Sequence, residues 1–122
     1  MDAQDTQGLS HYYKEQRPWG NFERLTLNET STVKIITVNP GEEFSLQTHA
    51  HRDEYWRIMH GSGEVTIGTL VRDAKPDDNY SVMRGVPHRV KAGPQGITFV
   101  EIALGDFDEN DITRLEDKYG RS

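Results

Sequence analysis

The sequence predicts an all-β fold, a sandwich or barrel built from about eight short strands. Three observations carry that reading. Short segments of alternating polarity recur between turn signals. β-Branched residues are dense inside them, as in Thr32-Val33-Lys34-Ile35-Ile36-Thr37-Val38 and Gly63-Glu64-Val65-Thr66-Ile67-Gly68, which suits half-buried pleated strands. No helical segment separates one from the next.

Taken in order, residues 1–16 lack periodicity and read as a flexible or partner-docking arm, leaving 17–122 as a single domain. Strands are expected over 21–27, 32–39, 43–49, 54–60, 63–70, 80–83, 88–91 and 97–104. Breaks fall at Asn39-Pro40-Gly41, Gly61-Ser62-Gly63, Lys75-Pro76-Asp77-Asp78 and Ala92-Gly93-Pro94-Gln95-Gly96, all strong turn chemistry. Only 108–115 looks helical, with Asp108 as an N-cap and acids in the first turn. A short helical or irregular tail is therefore expected at the C-terminal end.

Bulk properties narrow the class. At 122 residues the chain is one domain with a real core. It has no cysteine, so any metal must be held by His, carboxylate or amide oxygen. A formal net charge of −6 argues against a nucleic-acid surface. The start, Met1-Asp2-Ala3-Gln4-Asp5-Thr6-Gln7-Gly8, is too polar and acidic for a signal peptide. No apolar run approaches the roughly 20 residues of a membrane span. A cytoplasmic domain that binds neither nucleic acid nor membrane is expected.

The run from Gly41 to Glu54, with Gly61 and the distant His88, concentrates the chemistry. Gln47, His49 and His51 share one face of a strand, because side chains alternate. A turn at Arg52-Asp53 returns Glu54 toward that face. Borderline-hard divalent ions such as zinc, manganese or iron accept such a nitrogen and oxygen set.

The spacing of Gly41, Gln47, His49, Glu54 and Gly61 matches the first cupin motif, with glutamine where most cupins carry a histidine. Gly85-Val86-Pro87-His88 keeps the glycine and histidine of the second. Ser45-Leu46-Gln47-Thr48-His49-Ala50-His51-Arg52-Asp53-Glu54-Tyr55-Trp56 resembles the signature of the type II phosphomannose isomerase family, as do Arg17-Pro18-Trp19-Gly20 and the stretch from Asp111 to Arg121. The resemblance implies a cupin, a double-stranded β-helix or jelly-roll-like barrel. It implies metal ligation by Gln47, His49, Glu54 and His88, with one divalent ion per chain. Zinc is the first expectation, and manganese, nickel, cobalt or iron are the alternatives. The activity implied is interconversion of mannose 6-phosphate and fructose 6-phosphate through a cis-enediol. A nucleotidyltransferase domain often precedes this cupin, and only the isomerase half of that chemistry is expected here.

Isomerisation moves a proton between C1 and C2 of the open-chain sugar and needs a base beside the metal. His51 shares the ligand face and is either that base or a spare ligand. Glu101, a carboxylate in an apolar strand, faces either the lumen or solvent. Arg114 either closes over substrate or pairs with Glu116 or Asp117. Arg52, Arg57, Arg84, Arg89 and Lys91 flank the motifs and are candidates for the phosphate end. Strand alternation sets Arg89 opposite His88. Trp19 and Trp56 read as core or interface packing, and Trp56 shares the parity of Glu54.

Two rivals stand beside the isomerase: a metal-dependent cupin dioxygenase, and a non-catalytic module binding a sugar phosphate or nucleotide sugar. Assembly is expected as a homodimer. Open sandwiches present edges that proteins cover, and the arm with His11-Tyr12-Tyr13 is placed to pair across a twofold axis.

Overall fold

The computed structural model describes residues 4–121. It is all-β and, among those residues, contains no helix. The strands are β1 (Tyr13–Arg17), β2 (Gly20–Arg24), β3 (Ser31–Val38), β4 (Leu46–Thr48), β5 (Asp53–Ile67), β6 (Leu70–Ala74), β7 (Asn79–Val82), β8 (His88–Leu104) and β9 (Thr113–Glu116).

β5 and β8 are long, and each serves two sheets. The N-terminal part of β5 pairs with β7 and with the C-terminal part of β8, which in turn pairs with β3. The C-terminal part of β5 pairs with β6 and with the N-terminal part of β8, whose His88 pairs with Gln47 of β4, and β4 pairs with β9. All these pairings are antiparallel, and together they build a double-stranded β-helix.

Register shifts between Ile58 and His60, and between Gly61 and Gly63, bend β5 from one sheet to the other, as β-bulges do. The breaks expected at 61–63 and 92–96 are therefore bends within continuous strands. Gly61 explains itself here. Its φ is +81°, and an added Cβ would lie 2.2 Å from the Gly96 carbonyl oxygen.

Trp56, Ile58, Val65, Val82, Val90, Ile97 and Phe99 fill the space between the sheets. A second cluster, Leu9, Tyr55 and Ile102 with Tyr12 and Leu25 packed against it, covers the back of the first sheet. Residues 4–16 thus fold onto their own barrel: Leu9 is buried, Gly8 N–H donates to Ser81 Oγ at 2.8 Å, and β1 pairs with β2. Tyr12 of the expected docking arm is engaged locally, since its Oη donates to Glu23 at 2.6 Å. Residues 1–3 of that arm lie outside the described residues.

Two further expectations are corrected. Segment 108–115 is irregular and then strand, because Asp108 Oδ1 accepts from the Asn110 amide at 2.9 Å and the following backbone joins β4. Of the core or interface packing expected for Trp19, the core half is wrong: it is 72% exposed in the turn between β1 and β2. Among the described residues no helix is long and apolar enough to cross a membrane.

Candidate metal centre

The site lies at one end of the sandwich, where two cross-strand rows face each other. In the first sheet Lys34, Glu101 and Trp56 stand side by side on β3, β8 and β5. In the second, Arg114, Gln47 and His88 do so on β9, β4 and β8. Directly opposite residues share a face, so both rows point inward. All of these but His88, which lies buried behind them, line a cavity of about 220 Å³ together with His49, Arg52, Glu109, Ile112 and Arg121.

His49, Glu54 and His88 are buried, and their ligand atoms lie within 4.8 Å of one another. His49 Nε2 is 3.5 Å from Glu54 Oε2, and His88 Nε2 is 3.9 Å from Glu54 Oε1. Both imidazoles are oriented from behind. His49 Nδ1 bonds the Asp111 carbonyl at 2.6 Å, and His88 Nδ1 bonds the Val86 carbonyl at 2.9 Å. The hydrogen-bond network therefore assigns the proton to Nδ1 in each ring and leaves Nε2 as a lone pair aimed into the site.

His88 Nε2 is buried with no hydrogen-bond partner among the described residues. Burial also pushes this imidazole below its usual range, which keeps it neutral. A buried orphan acceptor beside a carboxylate is what a divalent cation satisfies, so the residues fit one. Gln47 lines the same cavity, with Oε1 accepting from Ser45 Oγ at 2.7 Å.

Arg52 is a site residue of a different kind from the one expected. It is buried, its Nε donates to Glu54 Oε2 at 2.8 Å, and its NH2 group lies 3.2 Å from His49 Nε2. It balances the buried carboxylate.

Glu101 faces the lumen and hydrogen-bonds Glu54. Burial, then the Glu54 hydrogen bond and charge, push it up to about 8. Glu54 goes the other way. Burial opposes its ionisation, but the Glu101 hydrogen bond, His88, Arg52 and His49 outweigh that and hold it below the usual carboxylate range. At neutral pH Glu101 is therefore the protonated member and donates to Glu54.

Several expected site residues lie elsewhere. β4 ends at Thr48, so strand alternation stops short of His51, which is exposed with its amide bonded to Asp111. Arg57 forms a bidentate pair with Glu23 at 2.8 and 3.0 Å in a separate polar cavity. Arg84 pairs with Asp53 on the surface. Arg89 reaches Glu43 and the Phe44 carbonyl, and Lys91 is exposed. The cavity's cations are instead Lys34, Arg52, Arg114 and Arg121. Lys34 was legible, since it is the one charge among the inward positions of β3. Arg121 had no signal beyond its place in the C-terminal motif.

Known proteins share this sequence and this fold. Residues 4–117 match the family described as mannose-6-phosphate isomerase C-terminal. The chain belongs to that family. It is 39% identical over 111 residues to the xanthan biosynthesis protein XanB of Xanthomonas campestris, covering 89% of this chain and 24% of XanB. It is 35% identical over 114 residues to the mannose-1-phosphate guanylyltransferase ManC of Salmonella typhimurium, covering 91% and 24%. The chain thus spans about a quarter of the length of the curated relatives it matches. A double-stranded β-helix protein of Klebsiella pneumoniae superposes with a TM-score of 0.62 at 25% identity, over 73% of this chain and 79% of that one. For this member of the mannose-6-phosphate isomerase C-terminal family, the cupin fold and a His/Glu group able to hold a metal are both present.

Proposed function

We propose that this chain is a metal-dependent sugar-phosphate isomerase, interconverting mannose 6-phosphate and fructose 6-phosphate through a cis-enediol. One observation carries the reading: a buried His49/Glu54/His88 group with a protonated carboxyl beside it, in a cavity rimmed by four cations on a chain of net charge −6. Gln47 is the proposed fourth ligand, and zinc the first metal to test. Bound there, a divalent cation supplies the Lewis acidity that polarises the substrate carbonyl.

The chain's own residues do the rest. Glu101, near 8, is suited to the proton transfer: its ionised fraction takes a proton from one sugar carbon and the carboxyl so formed returns it to the next, because an acid–base group works best near the operating pH. His51, exposed and outside the cavity lining, leaves that role to Glu101. Arg114 offers a planar charge to the developing negative oxygen. Trp56 and Ile112 add apolar surface to the cavity wall.

The test is a coupled assay of metal-loaded protein with mannose 6-phosphate, after metal analysis of the protein as purified. About one ion per chain is expected, lost in a His49→Ala/His88→Ala double variant that remains β-rich, and fructose 6-phosphate should form. Binding without turnover would refute the isomerase and leave the second reading, a module that binds a sugar phosphate or nucleotide sugar. That reading is favoured by the name of the longer relative ManC, a mannose-1-phosphate guanylyltransferase. Oxygen consumption with bound iron would instead point to the dioxygenase, which Gln47 in place of a histidine disfavours.

A further inference from the structure

Residues 105–112 cross the mouth of the cavity between β8 and β9, and they are fastened to the site itself. The Asp108 carbonyl accepts from Arg52 at 3.2 Å, and the Asp111 carbonyl holds His49 Nδ1. The Phe107 ring lies under two cavity cations, 4.3 Å from Lys34 Nζ and 4.4 Å from the Arg52 guanidinium carbon. Glu109, which also lines the cavity, pairs with Lys34 Nζ at 2.7 Å.

The cavity cations are not equally available. Arg52 is committed to Glu54, His49 and the Asp108 carbonyl. Arg121 is clasped by Asp117, which also accepts the Arg121 and Tyr119 amides. Lys34 has a partner that is 72% exposed, and its own side chain is one-third exposed. An ion pair in that setting is weak and exchangeable. An ammonium has three donors, and the Phe107 face orients it without using any of them.

From this, and resting on the sugar-phosphate reading above, we infer that Lys34 takes the substrate's phosphate, with Glu109 as an internal stand-in that the phosphate displaces. The dianion wins because it carries more charge and three strong acceptor oxygens where the carboxylate offers two. The phosphate end of the ligand is thereby held at the Lys34 ammonium beside the strap, and the sugar chain runs from there toward Glu101 on the neighbouring strand. The acidic strap then screens entry, since an uncharged sugar gains nothing by displacing Glu109.

The experiment is calorimetric titration of the metal-loaded chain with mannose 6-phosphate, inorganic phosphate and mannose. The proteins are wild type, Glu109→Gln, Lys34→Met and the double variant, with circular dichroism checking each fold. Glu109→Gln is expected to tighten both phosphates about two- to fivefold, the strength of an exposed ion pair, and to leave mannose unchanged. Lys34→Met should weaken both about tenfold or more and erase the effect of Glu109→Gln. Should Lys34→Met not fold, Glu109→Lys, at an exposed position, carries the test and must tighten phosphate beyond Glu109→Gln.

Unchanged or weakened phosphate affinity in Glu109→Gln overturns the inference, as does absence of phosphate binding in both wild type and that variant. The two readings fail separately. Turnover of mannose 6-phosphate with indifferent Lys34 and Glu109 variants sinks only the anion site. The expected affinity shifts without turnover sink only the isomerase.

Discussion

At the scale of single residues the centre is a problem of buried charge. Glu54 is 1% exposed and Arg52 is 6% exposed, and taking either out of water alone costs several kcal/mol. Arg52→Met should therefore destabilise the metal-free protein by about 3–5 kcal/mol. It should cost much less once a divalent ion offsets Glu54, and thermal melts with and without metal measure the difference. Equal losses in both states would mean that Arg52 does not balance Glu54. Glu101→Gln keeps the shape and hydrogen-bonding capacity but removes the proton relay. We expect about 10²–10⁴-fold slower turnover with metal content intact, and no loss in His51→Gln. Isomerase kinetics on the two variants check both.

At the scale of elements, the two long strands and the hairpin carry the construction. Gly61→Ala forces a side chain into positive φ against the Gly96 carbonyl. At least about 2 kcal/mol of stability should be lost, read from the denaturation midpoint; a smaller change would mean the crossing relaxes freely. The β1–β2 hairpin is tied to β5 through Glu23, which accepts from Arg57 and Tyr12. Those bonds, Arg57 first, lower the Glu23 carboxyl to about 2 from an ordinary 4.5. A depressed carboxylate stabilises the fold above its unfolded value and loses that contribution as pH falls through its folded one. The stability advantage of wild type over Glu23→Gln should accordingly be full above pH 4.5 and shrink toward pH 2, as melts at several pH values would show.

At the scale of the whole molecule, the described strands leave β3 hydrogen-bonded only to β8, with Val33 and Ile35 at 61% and 66% exposure on its outward face. An apolar edge of that kind is normally covered. We therefore propose β3 as the seam of the expected homodimer, in place of the N-terminal arm, whose Tyr12 packs on its own barrel. Light scattering should give about twice the 14.0 kDa chain mass, and Ile35→Lys should return it to one chain. A wild-type monomer at micromolar concentration refutes the dimer.

Local pattern sufficed for the all-β class and, through motif spacing, for a His/Glu group able to hold a metal. Alternation marks a strand wherever one face is buried, and His49, Glu54 and His88 are tied to a motif whose glycines serve bends that only glycine tolerates. The rest needed the third dimension. Whether His51 or Glu101 faces the lumen depends on where β4 stops and on which face of β8 the barrel closes over. Neither is encoded within a few residues. The cations of the cavity come from β3, the Arg52 turn, β9 and the C-terminal end, regions brought together only by long-range pairing. Arg52 was visible as a charge beside the motif, but its task, holding Glu54 ionised in a dry interior, exists only once the barrel has removed the water.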